Sequence, residues 1–242
     1  MACLDIPLPR CMQALPSAPP VALGNTNDHE VLELLRRFGR RLHRPEDEIE
    51  QACNLASGPA DLVVILERPA LNQKYRVSFE QFVTDCKTLK AVDDLIKFAT
   101  RGARSISTVT VLDAFSFKPL KEQAEPSDEK CQDLIKEVLW LKKPRVLLCC
   151  SKGERTNHWV DKFWSRGVGS LPLRIETVIK DQPAVIVPSF HPATAVCHNK
   201  CNANYRVLLI YHFVSAFAEL NKPIALPEWI ETISQSSSYD AR

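Results

Sequence analysis

The run DLVVIL, residues 61–66, places five apolar residues in a row and is followed at once by Glu67-Arg68-Pro69-Ala70. Gly58-Pro59 breaks the chain just before it. The run is strand-length, and it is apolar at successive positions rather than at alternate ones. That pattern predicts a strand buried on both faces, as in a parallel sheet covered by helices. Three similar runs recur: TVTVLDAF (108–115), RVLLCC (145–150) and AVIVPS (184–189). Helical periodicity lies between them, in LKAVDDLIKFAT (89–100) and SDEKCQDLIKEVLWL (127–141). GERTNHWVDKFWSRG (153–167) follows the third run as a further predicted helix. Strands alternating with helices predict an α/β fold of three layers, α/β/α, around a central parallel four-stranded sheet.

Outside this core, residues 28–43 place Val31, Leu34, Leu35, Phe38 and Leu42 on one helical face, with Asp28 as a candidate N-cap. RPEDEIEQACNLA (44–56) reads as a second helix with Pro45 in its first turn. NANYRVLLIYHFVSAFAELN (202–221) is apolar on more than one face, which predicts a largely buried helix. Residues 1–26 are rich in proline and small residues and are expected to be a flexible N-terminal segment. Residues 27–225 are expected to form one domain and 226–242 a C-terminal tail.

With 242 residues the chain can bury one sizeable core. The formal net charge of +2 gives no strong electrostatic attraction to nucleic acid, although a local patch can sit inside a balanced total. Only 7 glycines occur, and neither GxGxxG nor GxxxxGK[ST] is present, which weighs against phosphate-loop nucleotide binding. Five of the 17 prolines interrupt the first 20 residues, where a signal peptide needs an apolar run, and no stretch reaches the ~18 apolar residues of a membrane span. The expectation is an intracellular protein, nuclear or cytoplasmic, without membrane association. Its nine cysteines are scattered, as befits reduced thiols packed as small apolar groups.

In open α/β sheets the ligand lies beyond the carboxyl ends of the strands. There the sequence places Glu67 and Arg68 after the first run, Asp113 at the end of the second, Ser151 and Lys152 after the third, and Ser189-Phe190-His191-Pro192 after the fourth. Two acids and a histidine are thus expected to converge on one rim.

These residues also carry a resemblance. LVVILERPA (62–70) is similar to the first motif of the uracil-DNA glycosylase superfamily, nearest the GEAPG form. VTVLDAFSFKP (109–119) resembles the strand written TNVVKCRP in that branch, KPRVLLCCSKGE (143–154) its PKVIVALGATA segment, and VPSFHPATAV (187–196) its PTYHPAALL motif. The four pieces occur in family order over roughly residues 58–220. The resemblance implies a uracil-DNA-glycosylase-like fold and a DNA glycosylase that hydrolyses the N-glycosidic bond of uracil or a related damaged base, acting on DNA; a monomer is the separate expectation. It implies that His191 donates to the departing base and that Glu67 positions water or stabilises the sugar cation. It further implies that Asp113 contacts the base edge, that Tyr75 or Phe79 stacks on the base, and that Arg68 and Ser189 adjoin the substrate. Pro192, Ala193, Thr194, Ala195 and Val196 would form the loop that wedges into the duplex.

The chain also departs from the family. Leu66 and Ala70 replace the glycines of the first motif, Arg68 replaces a small residue, and Asp113 stands where the family has asparagine. An amide both donates and accepts at a base edge, whereas an ionised carboxylate only accepts; a buried, protonated one would mimic the amide. No four-cysteine cluster has the branch's iron–sulfur spacing, so neither cofactor nor metal is expected. Cys197, His198 and Cys201 lack a second pair that would complete a zinc site. The basic stretch RRFGRRLHR (36–44) reads as a solvated helix face or a phosphate contact. Trp159, Phe163 and Trp164 read as core or as a stacking surface. Two other classes remain open: a catalytically degenerate member that binds nucleic acid or protein, and an unrelated α/β protein. In the latter, Glu67, Asp113 and His191 would not share a cleft.

Overall fold

The computed structural model describes residues 28–119, 126–150, 175–179, 182–198 and 203–220. The expected N-terminal segment, the C-terminal tail, Ser151, Lys152, the helix at 153–167 with its aromatic residues, and Cys201 lie outside the described residues.

Two helices open the described chain, α1 (Asp28–Arg41) and α2 (Glu46–Ala56). Strand β1 (Leu62–Leu66) leads through α3 (Phe79–Asp85) and α4 (Lys87–Ala99) to β2 (Thr110–Asp113). Helix α5 (Asp128–Lys142) leads to β3 (Val146–Cys149). Then come β4 (Ile175–Ile179), β5 (Gln182–Pro188) and α6 (Ala203–Ala218). The strand order is β2-β1-β3-β5-β4. The first four strands are mutually parallel, as the unbroken apolar runs predicted, and β4 pairs antiparallel with β5 at the edge. This fifth strand is additional to the four-stranded expectation. The strand reads IETVI, mixed polar and apolar rather than continuously apolar, and an antiparallel edge on a parallel sheet is a common arrangement.

The pleat sorts the core into two layers. Leu62, Val64, Leu66, Val111, Val146, Leu148 and Val187 face α4 and α6. Val63, Ile65, Leu112, Leu147, Cys149 and Ile186 face α1 and α5. Every residue of β1 is buried, which is why the strand has no polar face. Helix α6 buries Leu208, Leu209, Ile210, Tyr211, Phe213, Val214 and Phe217, more than one stripe, as its sequence predicted. Ser78 and Ser127 cap α3 and α5 by accepting the N–H of Gln81 and Lys130 at 3.2 and 3.3 Å.

The amino end of the sheet is pinned by charge. Arg104, 2% exposed, donates two hydrogen bonds to Asp61, at 3.1 and 2.6 Å, immediately before β1. The carboxyl end is open, and β1 lies at the reversal of strand order, with β2 on one side and β3 on the other. That reversal is where a parallel sheet parts its loops and leaves a crevice.

Candidate functional site

A cavity of about 360 Å³ lies at that end of the sheet. This is at the small end of the roughly 300–1,000 Å³ typical of ligand pockets. Its walls include Glu67 and Arg68 from the end of β1, Asp113 from the end of β2, and His191 and Ala193 from beyond β5. Tyr75, Phe82, Leu55 and Phe117 supply its apolar surface. The convergence follows from the parallel register. Leu66 lies opposite Asp113, so the two carboxylates emerge from neighbouring strand ends. The β1–β2 ladder continues one step further, with the Phe115 N–H donating to the Glu67 carbonyl at 2.9 Å, which fixes the backbone on which Glu67 stands. His191 begins two strands away from β1 and crosses on the turn after Pro188.

Asp113 is half-buried and its pKa is pushed up to about 7. Burial is the main cause; Arg68 opposes it and Glu67 reinforces it. Near neutral pH this carboxyl therefore spends a large part of its time protonated, and in that form it both donates and accepts.

His191 is held the other way. Burial, with His198 nearby, pushes its pKa down to about 4, so the ring is neutral. The Ala193 N–H donates to its Nδ1 at 3.3 Å. An Nδ1 that accepts carries no proton, so the neutral ring bears its proton on Nε2. The side chain thus presents a neutral N–H donor.

Arg68 lies along the wall, its guanidinium 4.4 Å above the centre of the Phe115 ring and its Nε 3.4 Å from Oε1 of Glu67. The cavity persists with Arg68 in place. Among the described residues the buried Nε has no hydrogen-bond partner, so the contact with Glu67 is electrostatic rather than a directed bond.

Of the two aromatic candidates, Tyr75 lines the cavity, while Phe79 packs against Phe82 with ring centres 6.3 Å apart. The Tyr75 loop is clamped by Gln51 of α2, whose Nε2 donates to the carbonyls of Tyr75 and Val77 at 3.1 and 2.8 Å. Ser189 is fully buried and does not adjoin the cavity; its Oγ sits 3.0 Å from Nδ1 of His212 on α6. It supports the His191 turn from behind, and Phe190 beside it packs edge-on against Tyr205 and His212.

The expected wedge loop takes a different form. Residues after His191 coil into a helical turn, π-helical over Thr194–His198. Pro192 is buried, Ala195 is 0% exposed and Val196 is 9% exposed. The physical reason is that the small apolar side chains of Ala195 and Val196 join the core, where the turn packs against α4 and α6. Ala193 and Thr194 remain half-buried.

Compared with known proteins, the chain matches no family model and no curated protein.

Sequence reasoning did not single out Glu48, Gln73, Cys86, Thr88 or His198 as cavity residues. Glu48 left a trace, because it is a carboxylate on the apolar side of α2, beside Ile49 and four residues before Ala52. It is 7% exposed. Among the described residues, no group of three His, Cys, Asp or Glu side chains is arranged to hold a metal ion. Nor is any helix among them long and apolar enough to cross a membrane.

Proposed function

We propose that the protein is a DNA glycosylase of the uracil-DNA glycosylase type, hydrolysing the N-glycosidic bond of uracil or a related damaged base. The observation that carries this reading is that Glu67, Asp113 and His191, from the ends of three parallel strands, line one small cavity with Tyr75. A pocket of this size with an apolar floor suits a single base taken out of the stack. In the proposed reaction the bond from the sugar C1′ to the base nitrogen breaks and its electron pair leaves with the base. The Nε2–H of His191 donates to a carbonyl oxygen of the base, where that charge gathers. Glu67 holds a water against C1′ and takes its proton as the new C–O bond forms. Asp113 reads the base edge: in its protonated form it serves a carbonyl beside an N–H, as in uracil, and in its ionised form it accepts from an amino group.

Purified protein incubated with labelled oligonucleotides carrying uracil, hypoxanthine or xanthine, single- and double-stranded, is expected to release one of these bases. The Glu67→Ala protein is expected to release it at least about 10²-fold more slowly, since it lacks the general base. Equal release by both proteins would remove Glu67 from the reaction. A second reading, a binder that does not cleave, is favoured by the Arg68 side chain beside Glu67, whose charge occupies the place of a small residue. DNA binding without release from any substrate would establish it.

A further inference from the structure

The turn at residues 70–73 carries a feature that the proposed chemistry does not use. The Ala70 N–H donates to Oε1 of Gln73 at 3.3 Å, and the Gln73 N–H donates back to the Ala70 carbonyl at 3.3 Å. The turn is closed, and Leu71 and Asn72 stand at its two corners. Leu71 is 50% exposed. Among the described residues one other large apolar side chain is exposed, Trp140 on α5, a helix that contributes nothing to the cavity. Leu71 by contrast lines the cavity's mouth beside Pro69 and Ala70.

An enzyme that extrudes a nucleotide must fill the gap left in the stack, and proteins that part base steps do so with apolar side chains such as Phe, Leu, Ile or Met. The turn after His191 does not supply one, because Pro192, Ala195 and Val196 are buried. The 70–73 turn supplies one, with cations beside it. Lys74 and Arg76 have side chains 74% and 89% exposed, in surface ion pairs with Asp85 at 3.7 Å and Asp47 at 3.0 Å. Such exposed pairs contribute little and exchange readily for phosphates.

We infer that Leu71, presented on the closed turn after β1, is the side chain that enters a DNA duplex beside the extruded nucleotide. The inference rests on the glycosylase reading only in taking an extruded nucleotide as the guest of the cavity.

The test uses the full chain and a duplex containing an abasic-site analogue next to 2-aminopurine, whose fluorescence rises when it loses its stacking neighbour. The wild-type protein is expected to raise the signal several-fold. Leu71→Ala is expected to bind the duplex but lose most of that rise, and Leu71→Phe to keep it. In base release, Leu71→Ala should slow the duplex reaction by about tenfold or more and the single-stranded reaction far less, since only the duplex must be opened. A fluorescence rise in Leu71→Ala equal to wild type, or no rise in wild type, overturns the inference. Release by wild type with duplex rates unchanged in Leu71→Ala overturns it alone and leaves the glycosylase reading standing. No release by wild type, with a rise that depends on Leu71, overturns the glycosylase chemistry alone and supports the insertion.

Discussion

Asp113 and His191 sit on opposite walls of the same protonation problem. Burial favours the neutral form of each, which lifts the acid to about 7 and lowers the base to about 4. His212, enclosed behind the His191 turn, is likewise pushed down to about 4. The two histidines are neutral when folded but take up protons below about pH 6.5 when unfolded. Their contribution to stability is therefore complete above that pH and is lost as pH falls toward 4. Asp113 works in the other direction. The unfolded chain loses this proton near pH 4 and the folded chain near 7, so stability falls as pH rises across that window. With two histidines against one aspartate, these groups place the stability maximum between about pH 6 and 7. Asp113→Asn should remove the decline on the alkaline side and raise stability above about pH 7 by on the order of 2 kcal/mol, allowing for the partial exposure of the carboxyl. Urea unfolding of both proteins across this pH range measures it; parallel curves would mean that Asp113 is ionised in the native state. At this scale the sequence carried the identity of the residues but not their charge. Asp113 at the end of an apolar run announced a strand end, whereas its protonation depends on Arg68 and Glu67 beside it and on how deeply the fold encloses it.

At the scale of elements, the legible parts were those whose pattern is local. The runs at 61–66, 108–115, 145–150 and 184–189 became β1, β2, β3 and β5, because strands buried on both faces must be continuously apolar. β4 escaped because its five residues, IETVI, mix polar and apolar side chains and form no continuous apolar run. The helical turn after His191 escaped because Pro192 and the small residues after it read as a loop, and packing against α6 decides otherwise. A glycine shows the same dependence on tertiary contact. A Cβ on Gly58 would stand 2.2 Å from the backbone carbon of Val109 and 2.4 Å from the nitrogen of Thr110. The Gly58 carbonyl also accepts from Oγ1 of Thr110 at 2.6 Å and from Nζ of Lys142 at 2.8 Å. No flexible side chain can yield there, so Gly58→Ala must push β2 or break these bonds. It is expected to cost about 1–3 kcal/mol, the range of forced overpacking. Thermal unfolding measures this, and an unchanged Tm would show that the approach of the two backbones relaxes freely.

At the scale of the molecule, the two ends of the sheet have different tasks. The amino end is closed by the pair of buried Arg104 and half-buried Asp61. The carboxyl end gathers Glu67, Arg68, Asp113 and His191 around a cavity. The central claim is that this cavity breaks a glycosidic bond with His191 as the neutral donor to the leaving base. Single-turnover base release by wild type and His191→Ala, on the substrate that wild type processes fastest, tests it most directly. Removal of one aligned donor should lower the rate by about 10²–10³-fold with little change in thermal unfolding. Release by His191→Ala at the wild-type rate would contradict the account.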